Sequence, residues 1–267
     1  MPHQLIQYHM KSKEYKVYEV NTKKRNIFGA SMLICGLLLA ISVCNLFGYA
    51  FFSNGISLVS GKQRNANNFY AVEVASFDDY NDAYDFATQL QSKGGAGYIT
   101  YNKQYKVLAS MYLTYNDAKS VAGNVKDEYN DACVYEIVLP DITIPDDLTK
   151  EQEKAITTSF AVTKSAIATM SNIYLGLDTG EIKDSTARTM LNSLYDDSVD
   201  QVDSIRTSFH SLDTAKHLKH KMYLTNFASN IAEITNIDMS GMELSQIIKY
   251  QQIKCAFLYI TMANLFQ

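Results

Sequence analysis

The sequence predicts an α+β protein: a four-stranded antiparallel sheet with two helices on one face, a membrane helix before it and an all-α bundle after it. Three observations lead there. From Ile27 to Phe52 the chain runs 26 residues without a charge, directly after Lys23-Lys24-Arg25. Between 69 and 139, β-branched and aromatic runs alternate with helical ones. Beyond Pro2 the only prolines are Pro140 and Pro145, and from Asp146 onward the pattern is helical.

The uncharged run decides where the rest works. As a helix rising about 1.5 Å per residue it is about 39 Å long, more than the roughly 30 Å hydrocarbon core of a bilayer. Residues 1–26 carry six Lys/Arg and two Asp/Glu, whereas 53–267 carry 18 basic and 26 acidic groups. Basic flanks stay in the cytoplasm. The expected layout is a cytoplasmic basic tail over 1–26, a transmembrane helix over 27–52 and the bulk of the chain outside. A cleaved signal peptide is the main alternative, since Gly48-Tyr49-Ala50 resembles a small-x-small cleavage site. Signal h-regions, however, run only about 7–15 residues. Lipidation at Cys35 or Cys44 fits less well, because Ile34 and Val43 stand where a small residue is needed.

Residues 53–68, rich in Ser, Gly and Asn, read as a flexible linker. The block at 69–140 then reads strand, helix, strand, strand, helix, strand. Tyr70–Ala75 alternates with period two, as a half-buried strand does. Asp79 to Lys93 is a helix with Ala83, Phe86, Ala87 and Leu90 on one face, stopped by Gly94-Gly95. Tyr98–Tyr101 and Tyr105–Ser110 form a hairpin around Asn102-Lys103. Asn116 to Tyr129 is the second helix, and Ala132–Leu139 the fourth strand.

An internal echo organises these elements. Ser76-Phe77-Asp78-Asp79-Tyr80-Asn81-Asp82-Ala83 is answered by Ser110 through Ala118, each copy entering a helix at Tyr-Asn-Asp-Ala. Two such halves close into the ferredoxin-like βαββαβ arrangement. The helices then bury Val72, Val74, Val107 and Ala109. The opposite face, with Ala71, Glu73, Lys106, Leu108, Tyr98 and Thr100, is expected to be open.

This block resembles the SPOR (sporulation-related) domain of bacterial envelope proteins. The residues that carry the likeness are Tyr70-Ala71-Val72-Glu73-Val74-Ala75-Ser76-Phe77, then Ala83 with Leu90-Gln91-Ser92-Lys93-Gly94, then Tyr105-Lys106-Val107-Leu108-Ala109-Ser110-Met111-Tyr112. The resemblance implies binding of peptidoglycan, specifically glycan strands stripped of stem peptides, at division or sporulation septa. It places the ligand on the open sheet face, at Glu73, Ser76, Tyr98, Thr100, Lys106 and Leu108. It also implies a single-pass protein of the bacterial cytoplasmic membrane.

The chain departs from the family pattern at several positions. Glu73 replaces a glutamine, and a carboxylate accepts hydrogen bonds but donates none. Ala75 and Ser110 replace glycines, and Met111 a proline. Residues 69–140 hold five Lys, no Arg and ten Asp/Glu, so no positive field steers an anionic polymer toward them. These departures leave a second reading open: a degenerate module that contacts divisome or sporulation proteins instead of sugar. Tyr70, Phe77, Tyr105 and Tyr112 suit core or rim packing, and Ser76 also suits the cap of the first helix.

Residues 141–148 read as a Pro-containing linker and 149–267 as a helical bundle, a docking element for partners. Thr149 and Gln152 form a capping box, and Ser240 with Glu243 another. A helix closes at Leu177–Gly180; a second run starts at Asp184 or Ser185, a third past Asp213 can continue the second, and the last starts at Ser240. His210, Asp213, His217 and His220 fall within roughly an 80° arc of a helix. Lys216, Lys219 and Lys221 surround them while Leu212, Ala215, Leu218 and Met222 point away, which describes a solvated face and no metal site.

With a formal net charge of −4, the chain lacks the basic footprint nucleic acid demands. No Walker, Rossmann, zinc-finger, G-x-S-x-G or H-E-x-x-H pattern occurs, so no enzyme and no cofactor is expected. Cys133 and Cys255 are the only cysteines beyond the uncharged run, too few for a disulfide framework.

Overall fold

The computed structural model describes residues 68–209, 215–238 and 241–267. The basic tail, the expected transmembrane helix and the linker up to residue 67 lie outside the described residues. Among the described residues, no helix is long and apolar enough to cross a membrane.

The first part of the described chain runs β1 (Phe69–Phe77), α1 (Tyr80–Ser92), β2 (Tyr98–Asn102), β3 (Gln104–Tyr112), α2 (Tyr115–Asn124) and β4 (Cys133–Ile137). The strands lie in the order β2-β3-β1-β4, every neighbour antiparallel, which is the ferredoxin-like order expected from the echoed halves. Both echoes start a helix by the same device. Asp79 accepts from the backbone N–H of Asn81 and Asp82 at 2.7 and 3.3 Å, and Thr114 accepts from Asp117 at 3.1 Å. Ser76, a candidate for that role, is therefore not the cap. The β2–β3 hairpin turns at Lys103 with φ 64°, the left-handed conformation of a tight connection. α2 is shorter than expected. It ends at Asn124, just after Gly123, and Val125–Tyr129 continues in turns, where the Tyr129 N–H donates to the Val125 carbonyl at 2.8 Å.

One face of the sheet is covered by these two helices. Tyr70, Val72, Val74 and Val107 pack there with Ala83, Ala87, Leu90, Ala118 and Ala122, all at most 5% exposed. Small alanines on both helices let them lie close to the β-branched residues of the sheet. The three tyrosines and one phenylalanine of the strand ends pack as the sequence suggested: Tyr70 edge-on to Tyr115, Phe77 against Phe86, Tyr105 against Tyr80, Tyr112 against Tyr174.

The second part is four long helices: α3 (Lys150–Asp178), α4 (Asp184–Ser208), α5 (Ala215–Asn236) and α6 (Gly241–Ala263), closed by a 3₁₀ turn at Asn264–Phe266. The Thr149–Gln152 capping box forms as predicted and Gln152 also donates to the Ser208 carbonyl at 3.1 Å, joining the start of α3 to the end of α4. Arg188 likewise reaches the Thr235 carbonyl, and Ser245 donates to Asp178 at 2.5 Å. Each contact ties the start of one helix to the end of a neighbour, so the bundle is antiparallel throughout. Cys255 and Phe266 are fully buried in it, and Cys133 and Cys255 are both free thiols.

Of the histidine stripe, His210 and Asp213 lie outside the described residues, and the placement of the other two is a correction. His217 and His220 are 8% and 0% exposed, whereas Leu218 and Met222 are 44% and 47% exposed, the reverse of the solvated face expected. His220 packs flat on Phe160 and edge-on to Phe266, and His217 stacks on Phe209 at 4.0 Å. Aromatic rings line the bundle interior at this level, and a neutral imidazole continues that stack where an aliphatic side chain would not. Lys216 lies 4.5 Å above the Phe266 ring, its charge at the rim.

Candidate functional site

The sheet face away from α1 and α2 can be laid out from the strand register. β1 turns Phe69, Ala71, Glu73 and Ser76 toward it, the parity shifting at bulges on either side of Glu73. β3 adds Met111, Leu108 and Lys106, β2 adds Tyr98 and Thr100, and β4 adds Ile137, Tyr135 and Cys133.

Half of this face is not open. Phe69, Ala71, Leu108, Met111 and Ile137 are at most 3% exposed and share one core with α3, α4, α5 and α6. Tyr98 lies stacked on Phe257 of α6, 5.5 Å between ring centroids and 9° between planes, and also meets Tyr250. Polar contacts stitch the seam. The Tyr174 hydroxyl donates to the Met111 carbonyl at 2.6 Å, and Lys249 donates to the Gly94 carbonyl at 3.1 Å. The expectation of a fully uncovered sheet is thereby corrected. An apolar row Phe69-Ala71-Met111-Leu108 would have cost about 25 cal/mol per Å² left in water, and the bundle offers a matching apolar side. Met111, at which the chain departs from the family pattern, is a core residue of this seam.

The six predicted site residues are divided by the seam. Leu108 is buried beneath it and Tyr98 forms its margin. Glu73, Ser76, Thr100 and Lys106 remain together on the uncovered half, where Ser76 and Lys106 are register partners, as are Thr100 and Lys106. Lys106 Nζ stands 2.6 Å from Glu73 Oε1, with the two side chains only 21% and 9% exposed. The carboxylate that would repel an anionic sugar is thus already compensated by a neighbouring ammonium. Lys106 also lies 5.9 Å from the Tyr135 ring. Cys133, opposite Glu73 and exposed, has its thiol pushed above the ordinary range by partial burial first and by the Glu73 charge second. Burial likewise pushes the Tyr98 phenol up to about 12, so it stays a neutral donor. Tyr135 and Cys133 were not singled out from the sequence, although the strand order puts β4 beside β1 and so brings them to this face.

Beyond Tyr98 the strip meets a cleft of about 470 Å³ between α5 and α6. Its walls are Asn226, Ser229 and Asn230 from α5, and Lys254, Phe257, Leu258 and Thr261 from α6. No local motif marks these residues. They converge only because α5 and α6 pack side by side, with Tyr250 and Phe257 of α6 against Tyr98 of β2.

A compact ferredoxin-like sheet that keeps a polar strip on one half of a face is a binding architecture. Residues 66–136 match the family model of the SPOR domain, in agreement with the resemblance read from the strand and helix motifs, and the chain carries a SPOR domain over them. SPOR domains are peptidoglycan-binding domains of division proteins. No curated protein matches the chain, and no solved structure matches it.

Proposed function

We propose that this is a non-enzymatic, single-pass protein of the bacterial cytoplasmic membrane whose SPOR domain binds peptidoglycan glycan strands at the division or sporulation septum. The observation that carries the reading is the match over residues 66–136 together with the accessible strip Ser76, Thr100 and Lys106, the last paired with the buried carboxylate of Glu73. Hydroxyls at Ser76 and Thr100 and the Glu73–Lys106 pair give sugar hydroxyls both donors and acceptors on a rigid strand scaffold. The anchor at 27–52 would hold this surface outside the membrane, within reach of the wall. The Ser159–His220 contact, 3.1 Å long, is sealed in the bundle core and offers no route to a substrate.

Retention of the full chain on amidase-treated sacculi, measured against untreated wall, tests the proposal. Enrichment on the treated sacculi is expected; equal or absent retention on both refutes it.

A second reading has its own observation. The bundle occupies half of the sheet face, which favours a scaffold that engages divisome or sporulation proteins through its helices. Septal localisation that survives deletion of the strip's side chains but fails on disruption of the outer bundle surface would select it.

A further inference from the structure

We propose that the α5–α6 cleft is a second sugar subsite, one that takes an N-acetylated amino sugar bearing a carboxylate and extends the sheet strip through Tyr98. This rests on the glycan reading above and names where an additional part of that ligand binds. Four features of the cleft carry it.

The first is the aromatic floor. Tyr98 and Phe257 stack in nearly parallel planes and each is only half-buried, so the ring surface that the stack leaves exposed remains at the cleft for the apolar face of a pyranose. The second is the pair of amides. Asn226 is exposed at the rim, and Asn230, 8% exposed, makes only a long 3.9 Å contact to the Cys255 sulfur. A primary amide offers both a donor and an acceptor, which matches the acetamido group of an amino sugar. Leu258 supplies apolar surface for its methyl.

The third feature is the state of the hydroxyls. Ser229 and Thr261 donate to the carbonyls of Thr225 and Phe257 at 2.9 and 3.0 Å. Their protons are committed, so their lone pairs are free to accept from sugar hydroxyls. The fourth is charge. Lys254 sits at the cleft with Glu233 no nearer than 3.9 Å, the edge of an ion pair, and can turn to a carboxylate on the ligand.

The cleft's size suits the assignment. At about 470 Å³ it falls in the range of small-ligand sites, roughly 300–1,000 Å³. Tyr98 lines it and is two residues from Thr100 on the same side of β2, about 7 Å away along the strand. Strip and cleft therefore meet at Tyr98, close enough for one linear polymer to touch both.

The experiment compares the full chain with four variants on amidase-treated sacculi and, separately, with soluble N-acetylglucosamine oligomers. Asn226→Ala and Lys254→Glu alter exposed or half-exposed side chains and should leave the far-ultraviolet circular dichroism unchanged. Lys106→Ala perturbs the sheet strip alone. The proposal expects the double variant Asn226→Ala/Lys254→Glu to lose about tenfold in sacculus affinity, with Asn226→Ala alone weakening the neutral oligomers and Lys254→Glu alone leaving them unchanged. Wild-type retention that is untouched by the cleft variants but falls with Lys106→Ala overturns the cleft and leaves the glycan reading standing. Absence of retention by the wild type overturns both.

Discussion

Phe257 of α6 lies flat against Tyr98 of β2, its plane within 9° of the tyrosine's. It is one of several contacts that join the helical tail to the sheet, and it marks the boundary between the buried and the available halves of the face. It also places Tyr98 at once on the strip and in the α5–α6 cleft. Everything proposed for ligand binding depends on which side of this pair a residue falls.

Leu108 lies on the buried side, with no exposure. Leu108→Ala is expected to destabilise the protein by about 2–5 kcal/mol, because it removes apolar contacts and leaves a cavity between two rigid layers. Sheet and bundle share this core, so chemical denaturation followed by circular dichroism and by tyrosine fluorescence should give one coincident, shifted transition. Two separated transitions, with the helical one unmoved, would show that the seam is weak.

Glu73 and Lys106 make the strip's only close ion pair, a contact of 2.6 Å. Glu73→Ala should cost about 1–3 kcal/mol, since Lys106 would keep its charge in a partly buried place without a partner. Glu73→Gln should cost less, because the amide still accepts from the ammonium, and it adds a donor and removes a negative charge. We expect it to raise retention on amidase-treated sacculi; a fall would indicate that the carboxylate itself holds the ligand.

Gly94 has φ +86°, and a Cβ there would stand 2.9 Å from Met242 Cγ. Gly94→Ala should therefore lose about 1–2 kcal/mol from the left-handed backbone alone. The clash adds to this only as far as the flexible methionine cannot move. Thermal melts of Gly94→Ala with and without Met242→Ala separate the two contributions: the second substitution should recover part of the loss, never all of it.

His220 gives the bundle a pH dependence. Burial lowers its folded pKa from 6.5 to about 3, with the His217 charge a smaller cause. The folded state thus binds the proton less readily than the unfolded chain, so stability is full above pH 6.5 and falls as the pH drops toward 3. At about 1.4 kcal/mol per pKa unit the loss by pH 5 is about 2 kcal/mol. Denaturant midpoints from pH 8 to pH 4 should show it, and His220→Phe should flatten that part of the profile. An unchanged slope in the variant would place the acid sensitivity elsewhere.

Much of this architecture was legible in the residues. The period-two alternation of Tyr70–Ala75, the echoed Tyr-Asn-Asp-Ala entries and the Thr149–Gln152 box are local signals, and each fixes a local backbone outcome. The orientation of α5 was not legible. His217 and His220 are polar by type, yet the interior at that level is made by Phe160, Phe209 and Phe266, which come from far along the chain. Composition on one helix cannot reveal what stands opposite it. The same reason explains the candidate site: Leu108 and Met111 look like ordinary sheet residues until α6 is laid across them.

The sequence by itself determined that a βαββαβ module of the SPOR family precedes four amphipathic helices, because strand and helix periods are written in near neighbours. Only the tertiary structure decided how much of the sheet stays available, since that depends on two apolar surfaces, distant along the chain, leaving water together. Their union buried Leu108, left Thr100 and Lys106 outside, and brought Tyr98 to the mouth of a cleft that neither segment contains alone.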